Sequence, residues 1–549
     1  ISKEPLENIV PLQHPTQNDQ TIVTQYEMHS IEDLGILKMD FLGLKNLTII
    51  EDTLARIYKI HNQSINIDAI PLDDKKTYEL LQRGESTSVF QLESGGMQRY
   101  LKQLKPTELE DIISMVALYR PGPMDSIPDF IAQKHGKKKI IYLHSSLKPI
   151  LEKTYGVIVT QDQVLEIARS FSGFTYSQAD ILRKAVGKKI KKLLDEQKEK
   201  FITGAKNTQK IEAELAEKVW NFIEPFAGYG FNRAHAAAYA TIAYQTAWLK
   251  AHYPVEFMSA VLTSEKADVE RIAVLIEECK KMKIEVLPPD VNESFMNFSV
   301  VDGKNQIRFG LLAIKNVGHN VVEAILMERK ERGPYASISD FVSRVSSKDL
   351  NKKSLESMIK AGVFDKLGER NQLLQNMEKL LEQARISQKN KINGQKGLFD
   401  SAAAGQVSTT WKIKLTAAIP SPESEKLKWE KELLGLYVSG HPLLKYQKLL
   451  EKNCLPIVQV SQDLAGRVVR IGGVISSIKK IITKKGQPML FVNLEDEASR
   501  IELVVFPSIL ENYPAAFQEN KIVFVSGKVD MRDNIPKIIC NTIEEIVEE

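Results

Sequence analysis

With 549 residues, 43% of them apolar and 26% charged, the chain has the make-up of a globular protein of about three to five domains, which excludes disordered and fibrous classes. Lys plus Arg 74 against Asp plus Glu 70 leaves a formal charge of only +4, so any surface for a polyanion must come from local clustering. Cys279, Cys454 and Cys540 are isolated and make neither a disulfide framework nor a metal-ligand set. No run approaches the roughly 18 apolar residues of a membrane span and no signal peptide is read, so a reducing cytosol is the simplest setting.

The chain opens at Ile1 in mid-pattern, which reads as an internal fragment. Residues 34 to 41, Leu-Gly-Ile-Leu-Lys-Met-Asp-Phe, read as a buried strand that ends before Gly43, with an amphipathic helix expected from about 46 to 60. Asp40 closes that strand, where a carboxylate either binds a hard cation such as Mg²⁺ or caps the next helix. One carboxylate cannot make a two-metal site, which needs several oxygen ligands around ions about 3.5–4 Å apart, and no Asp-x-Asp in a strand context follows downstream.

Helical patterns dominate from 75 to 265. Two stiff turns interrupt them, Phe-Gln-Leu-Glu-Ser-Gly-Gly-Met at 90–97 and Tyr-Arg-Pro-Gly-Pro at 119–123, the second presenting Arg120 before a rigid bend. A helix is expected from Ser177, with Asp180 as its capping-box partner. Within it Arg183, Lys184, Lys188, Lys189, Lys191 and Lys192 form a one-signed ridge around Gly187. Such a run is by default a solvated face, but Lys137 to Lys139 and a loop at Arg233 add two more clusters, which favours a phosphate-rich partner. That loop belongs to residues 228–239, Gly-Tyr-Gly-Phe-Asn-Arg-Ala-His-Ala-Ala-Ala-Tyr. Gly228 and Gly230 let the backbone bend, and Ala236 to Ala238 begin a helix that Pro254 ends. Asn232, Arg233 and His235 then sit at its N-terminus, where free N–H groups and the helix dipole receive an anion. The competing reading is a capped, Ala-rich packing helix.

Residues 314–325 place a hairpin glycine, Gly318, between short helices, which resembles a helix-hairpin-helix. Lys315, Asn316 and Gly318 would then hold a DNA phosphate without reading sequence, although an ordinary turn between helices fits as well. A second helical stretch at 350–367 is its expected packing partner. From 384 to 428 periodicity fails, as in a linker, yet Gln395, Leu398 and Phe399 form a Gln-x-x-Leu-Phe pattern that is either a docking peptide or an accident. Beyond a helical lead-in, strands are expected at 467–478, 489–495, 502–506, 522–529 and 537–540. Five strands with one connecting helix suit an OB-fold, whose face commonly binds single strands; Arg470 and Phe491 are candidate face residues, with the core as alternative.

The order of the motifs decides between these readings. Lys-Met-Asp-Phe-Leu-Gly-Leu at 38–44, Val-Phe-Gln-Leu-Glu-Ser at 89–94, Arg-Pro-Gly-Pro at 120–123, Leu-Arg-Lys-Ala-Val-Gly-Lys-Lys at 182–189 and Gly-Tyr-Gly-Phe-Asn at 228–232 closely resemble the bacterial replicative DNA polymerase III alpha-subunit family. Trp-Leu-Lys-Ala-His-Tyr-Pro at 248–254, Leu-Pro-Pro-Asp at 287–290 and Leu-Gly-Leu-Tyr-Val-Ser-Gly-His-Pro at 434–442 extend the resemblance over nearly the whole chain. It implies a multidomain α+β protein: the end of a polymerase palm (1–45), mostly helical fingers (46–265), a helix-hairpin-helix and clamp-binding region (266–383), a linker with a clamp-binding peptide (384–428), and a lead-in helix with a β-barrel OB-fold (429–549, the barrel from 466).

By that resemblance Asp40 is one of three catalytic carboxylates that bind two Mg²⁺, the other two being absent from this chain along with the N-terminal phosphoesterase-like domain and the thumb. The chain alone is therefore expected to be inactive. Arg120, Arg183, Lys184, Asn232, Arg233 and His235 would line the pocket for the dNTP, and Gln395, Leu398 and Phe399 would grip the ring-shaped sliding clamp. The implied activity is template-directed DNA synthesis in the bacterial cytoplasm, with primer-template DNA, single-stranded template and clamp as partners and no membrane. A clamp loader and a proofreading exonuclease subunit would be met through parts outside this chain. The alternative is a non-catalytic nucleic-acid-binding scaffold of helix-hairpin-helix and OB modules.

Overall fold

Ile49, Ile50, Thr53 and Ile57 fall on one face of a helix, and burying that face fixes the helix Lys45–His61 (α1). The second of two compact units starts inside it; the first is residues 1–48 and the second residues 49–549. The computed structural model describes residues 1–187, 191–345, 350–392, 413–483, 486–496, 499–532 and 535–546.

The first unit packs Val10, Ile31 and Ile36 beneath a two-residue ladder, Leu12–Gln13 with Val23–Thr24, and a short helix, Met28–Asp33, capped by the Glu27 carboxylate. The strand expected over 34–41 does not form. Leu34 caps the short helix, residues 36 to 44 are irregular, and Phe41 and Leu42 are 89% and 84% exposed. A strand needs a neighbour to complete its hydrogen bonds. Here Leu37 exchanges backbone bonds only with Ile1, at 2.5 and 3.2 Å, and Asp40 follows as exposed chain.

Three cores precede the barrel in the second unit. In the first, Lys75–Gln82 (α2) and Leu109–Leu118 (α3) pack against the long helix Arg233–His252 around Leu81, Leu101, Met115, Phe130 and Tyr244. In the second, Gln161–Ser172 (α4), Tyr176–Gly187 (α5), Lys191–Gln209 (α6) and Ala213–Tyr229 (α7) surround Phe171, Phe201 and Trp220, rings about 5.5 Å apart in sequence. The chain returns to the first core through Gly230 and Phe231 into Arg233–His252 (α8). There the Gln161 N–H donates to the Phe231 carbonyl at 3.0 Å, and a Cβ on Gly230 would stand 2.9 Å from the Gln161 nitrogen. Gly230 is thus required by close approach rather than as a hinge, since its φ is −58°, and Gly228 lies within the last turn of α7.

A third core joins the buried face of α1 to Pro254–Ser264 (α9), Val269–Lys281 (α10), a small sheet (Glu285–Leu287, Gln306–Arg308, Ser299–Val300) and the helices that follow. Those include His319–Arg332 (α11) and Lys352–Lys360 (α12), joined where Asn316 Nδ2 donates to Ser357 Oγ at 3.2 Å. The turn's left-handed residue is Asn316, at φ +67°, not the expected hairpin glycine. Gly318 is extended and caps α11. The helix Glu423–Leu434 (α13) then closes this core with Leu433 and Leu434. Its fully buried Glu430 pairs with Arg370 at 2.9 Å and accepts the Val438 and Ser439 N–H groups, both at 2.9 Å, so one carboxylate ties the helix-hairpin-helix region to the segment entering the last domain.

That domain is a closed barrel of Val468–Ile482 (β1), Pro488–Glu495 (β2), Arg500–Val505 (β3), Ile522–Arg532 (β4) and Ile535–Glu545 (β5). Neighbours run β1-β2-β3-β5-β4 and back to β1, with β5 parallel to β3 and every other pair antiparallel, and the helix Pro507–Asn512 joins β3 to β4. All five expected strands are present, and this is the expected OB-fold. Leu490, Val492 and Leu494 of β2 alternate inward, as a barrel strand requires.

Candidate functional site

The start of α8 is built by its own sequence and by acids from elsewhere. Asn232 caps the helix, its Oδ1 accepting the His235 N–H at 2.9 Å. The Arg233 N–H donates to Asp162 Oδ2 at 3.1 Å, and the Arg233 guanidinium donates to Glu110 Oε1 at 2.5 Å. The free N–H groups expected for an anion are therefore partly taken by protein acceptors. Phe231, His235 and Tyr239, one turn apart, form a partly exposed ring ladder with centroids 5.2 and 4.2 Å apart. Arg120 lies 4.7 Å over Phe231 and donates through Nε to the Ala117 carbonyl at 3.0 Å, while Phe90 extends the other end, 5.2 Å from Tyr239.

The loop bearing Phe90 is clamped from beneath. Its N–H donates to Thr246 Oγ1 at 3.1 Å, and the buried Lys250 donates to the Glu85 and Thr87 carbonyls at 2.8 Å each and to Glu278 at 2.6 Å. Burial pushes the Lys250 ammonium below the usual lysine range, and the Glu278 charge opposes that shift. Arg120, Asn232, Arg233 and His235 thus share one surface. Sequence reasoning missed Phe90, Glu110, Asp162 and Tyr239; the ring spacing was readable, whereas the two acids lie 123 and 71 residues from Arg233.

Arg183 and Lys184 lie elsewhere. Both are on α5, whose packing partners are α4, α6 and α7, whereas α8 packs on α2, α3 and α9. Asp180 is not the capping-box residue that was expected: Thr175 and Gln178 cap the helix, with the Gln178 N–H on Thr175 Oγ1 at 3.3 Å and the Thr175 N–H on Gln178 Oε1 at 2.8 Å. Asp180 instead pairs with Lys184 and Arg183, both at 2.9 Å, and these hold its carboxyl below the usual range. Lys188 and Lys189 lie outside the described residues, as do Gln395, Leu398 and Phe399.

Asp40 belongs to the first unit, exposed and paired with Lys38 at 3.0 Å. Among the described residues no three His, Cys, Asp or Glu side chains converge as a metal site, so these residues alone do not complete a two-ion centre.

At the helix-hairpin-helix, Lys315, Asn316 and Gly318 are exposed, and a Cβ on Gly318 would meet nothing within 4 Å. Lys352 and Lys353, unremarked in the sequence, are exposed at the start of α12. On the barrel, Arg470 pairs with Glu544 at 2.9 Å and covers Phe524 at 4.7 Å, while Phe491 faces outward with Lys537 5.9 Å from its ring. Phe491 registers with Lys479, nine positions along β1 from Arg470, so the barrel does not bring the two together. Among the described residues no helix is long and apolar enough to cross a membrane.

A helix-hairpin-helix and an OB barrel beside a helical body are the module classes found in nucleic-acid-binding proteins. Residues 283–373 match a helix-hairpin-helix motif family and 469–546 an OB-fold nucleic acid binding domain. Residues 46–209 match the bacterial DNA polymerase III alpha subunit finger domain and 1–43 the bacterial DNA polymerase III alpha NTPase domain. The chain belongs to the bacterial DNA polymerase III alpha-subunit family. It is 40% identical over 560 residues to DNA polymerase III subunit alpha of Thermus aquaticus, covering 100% of this chain and 45% of that protein. The same subunit of Bacillus subtilis is 42% identical, covering 99% and 48%, and that of Escherichia coli K12 is 40% identical, covering 93% and 45%. The chain spans about half the length of the curated relatives it matches.

Proposed function

We propose that this chain serves template-directed DNA synthesis as part of a DNA-directed DNA polymerase, supplying contacts to the incoming dNTP, to primer-template DNA and to a sliding clamp in a bacterial cytoplasm. Similarity at 40% or more to DNA polymerase III alpha subunits over essentially the whole chain is what supports this most. The triphosphate would meet the start of α8, where Arg233 exchanges Glu110 for phosphate oxygens and Arg120 and the dipole add positive potential. The Phe231, His235 and Tyr239 rings, edge-on and tilted to one another, give an aromatic wall for base or sugar. Arg183 and Lys184 would add charge from α5. Lys315, Asn316, Gly318, Lys352 and Lys353 would hold duplex phosphates, the outer barrel face around Phe491 a single strand, and the peptide at Gln395, Leu398 and Phe399 the clamp.

The Mg²⁺ ions used by this reaction class stabilise the attacking and leaving oxygens. Asp40 would be one ligand, and the purified chain is expected not to extend a primer. Titration of the chain with a dNTP tests the nucleotide reading: Arg233→Ala should weaken binding by about 1–3 kcal/mol, the contribution of a charged hydrogen bond. Equal binding would move the nucleotide away from α8.

A further inference from the structure

Phe295 is 54% exposed, unusual for a phenylalanine, and its position is fixed. Its carbonyl accepts the Leu311 N–H and the Met296 carbonyl accepts the Leu312 N–H, both at 3.0 Å. Ser294 before it is fully buried, donating to the Phe309 carbonyl at 2.7 Å and accepting the Asp290 N–H at 3.0 Å. Turning Ser294 inward turns Phe295 outward.

Two cations from separate helices reach that ring. Lys59 Nζ of α1 lies 5.8 Å from its centroid, and the Arg329 guanidinium of α11, fixed by a 2.8 Å bond to the Val291 carbonyl, lies 5.2 Å away. Among the described residues neither makes an ion pair. A half-exposed aromatic ring on an anchored backbone, with two cations reaching it, matches a flat π-system that carries negative charge beside it.

We propose that Phe295, Lys59 and Arg329 form a stacking site for an unpaired nucleobase, with the two cations receiving its flanking phosphates. The site rests on the nucleic-acid-binding reading and extends it beyond the hairpin turn. Arg329 lies ten residues along α11 from His319, about 15 Å at the helical rise, so an unpaired nucleotide can reach the ring while Lys315 to Gly318 hold a duplex phosphate.

The test is binding of the 549-residue chain to labelled DNA, a duplex with a single-stranded extension against the same duplex blunt-ended, over a salt series. Phe295→Ala and Phe295→Leu should each weaken binding of the extended DNA about tenfold, leave the blunt duplex unchanged and leave the salt slope intact, since stacking releases no counterions. Phe295→Trp should retain affinity, and Lys59→Gln should lower the salt slope by about one. Parent-like binding of extended DNA by Phe295→Ala, or an equal loss on blunt duplex, would overturn the stacking site alone. Absence of DNA binding by the parent chain would overturn the proposed function with it.

Discussion

Replacing Glu110 with Gln should tighten the binding of a triphosphate. A phosphate that takes Arg233 must displace Glu110, which the guanidinium contacts at 2.5 Å. A hydrogen bond to a charged group contributes about 1.5–3 kcal/mol, but the Arg233 side chain is 37% exposed, and solvent screening brings the competing term to about 1 kcal/mol. Glu110→Gln keeps the shape and an acceptor oxygen while removing the charge, so the dissociation constant should fall about fivefold. Calorimetric titration of parent, Glu110→Gln, Arg233→Ala and the double variant with one deoxynucleoside triphosphate reads this directly. Arg233→Ala should weaken binding in both backgrounds and erase the gain from Glu110→Gln. Weaker binding by Glu110→Gln would refute the reasoning, because the carboxylate would then be orienting Arg233 rather than competing for it.

Burial, with Lys280 and Lys431 nearby, pushes the His441 imidazole down to about 4 from 6.5. Unfolded chain therefore takes up a proton that folded chain does not, so stability is untouched above about pH 6.5, falls between about 6.5 and 4, and is level below; the loss at pH 5 is about 2 kcal/mol. Thermal melts at pH 7.5 and 5 should show that sensitivity reduced in His441→Gln. Arg370→Met leaves Glu430 buried without its cation and should cost about 3–5 kcal/mol, seen as faster hydrogen exchange at residues 436–440; Arg370→Met with Glu430→Gln should recover much of it. Alanine at both Leu398 and Phe399 should remove binding to a bacterial sliding clamp, since burying each contributes about 1.5–3 kcal/mol before ordering costs; surface plasmon resonance showing parent-like affinity would assign the segment to linker.

Local signals carried the sequence reading where they governed the structure. Asn232, the alanine run and Pro254 bound α8 through interactions within a turn, and strict alternation in β2 exposes the barrel. Residues 34 to 41 carry the apolar pattern of a strand, yet strand formation depends on a neighbour that the pattern does not specify. Asp180 stood at capping-box spacing, but two cations within one turn drew its carboxylate away. At the hairpin the glycine drew attention although Asn316 takes the left-handed conformation, which asparagine tolerates better than most residues. Glu110 and Asp162 had no legible link to Arg233, because folding alone brings α3 and α4 to the start of α8.

The cations nominated for nucleotide binding already have contacts: Arg233 with Glu110, Arg183 and Lys184 with Asp180, Arg120 with Phe231 and the Ala117 carbonyl. Like charges repel, and Glu110 beside Arg233 and Asp180 beside Arg183 and Lys184 each offset that repulsion at their own place in the fold. The same pairing sets a threshold on the ligand. A singly charged group offers Arg233 no more than Glu110 does, and the exchange is near neutral once desolvation is counted. A triphosphate presents several oxygens to Arg233, Arg120 and the helix dipole together, and those contacts outweigh one displaced carboxylate. Glu110 therefore sets the threshold that a ligand at α8 must exceed, and because every phosphate that takes Arg233 displaces the same carboxylate, Glu110→Gln should raise monophosphate and triphosphate binding by about the same factor.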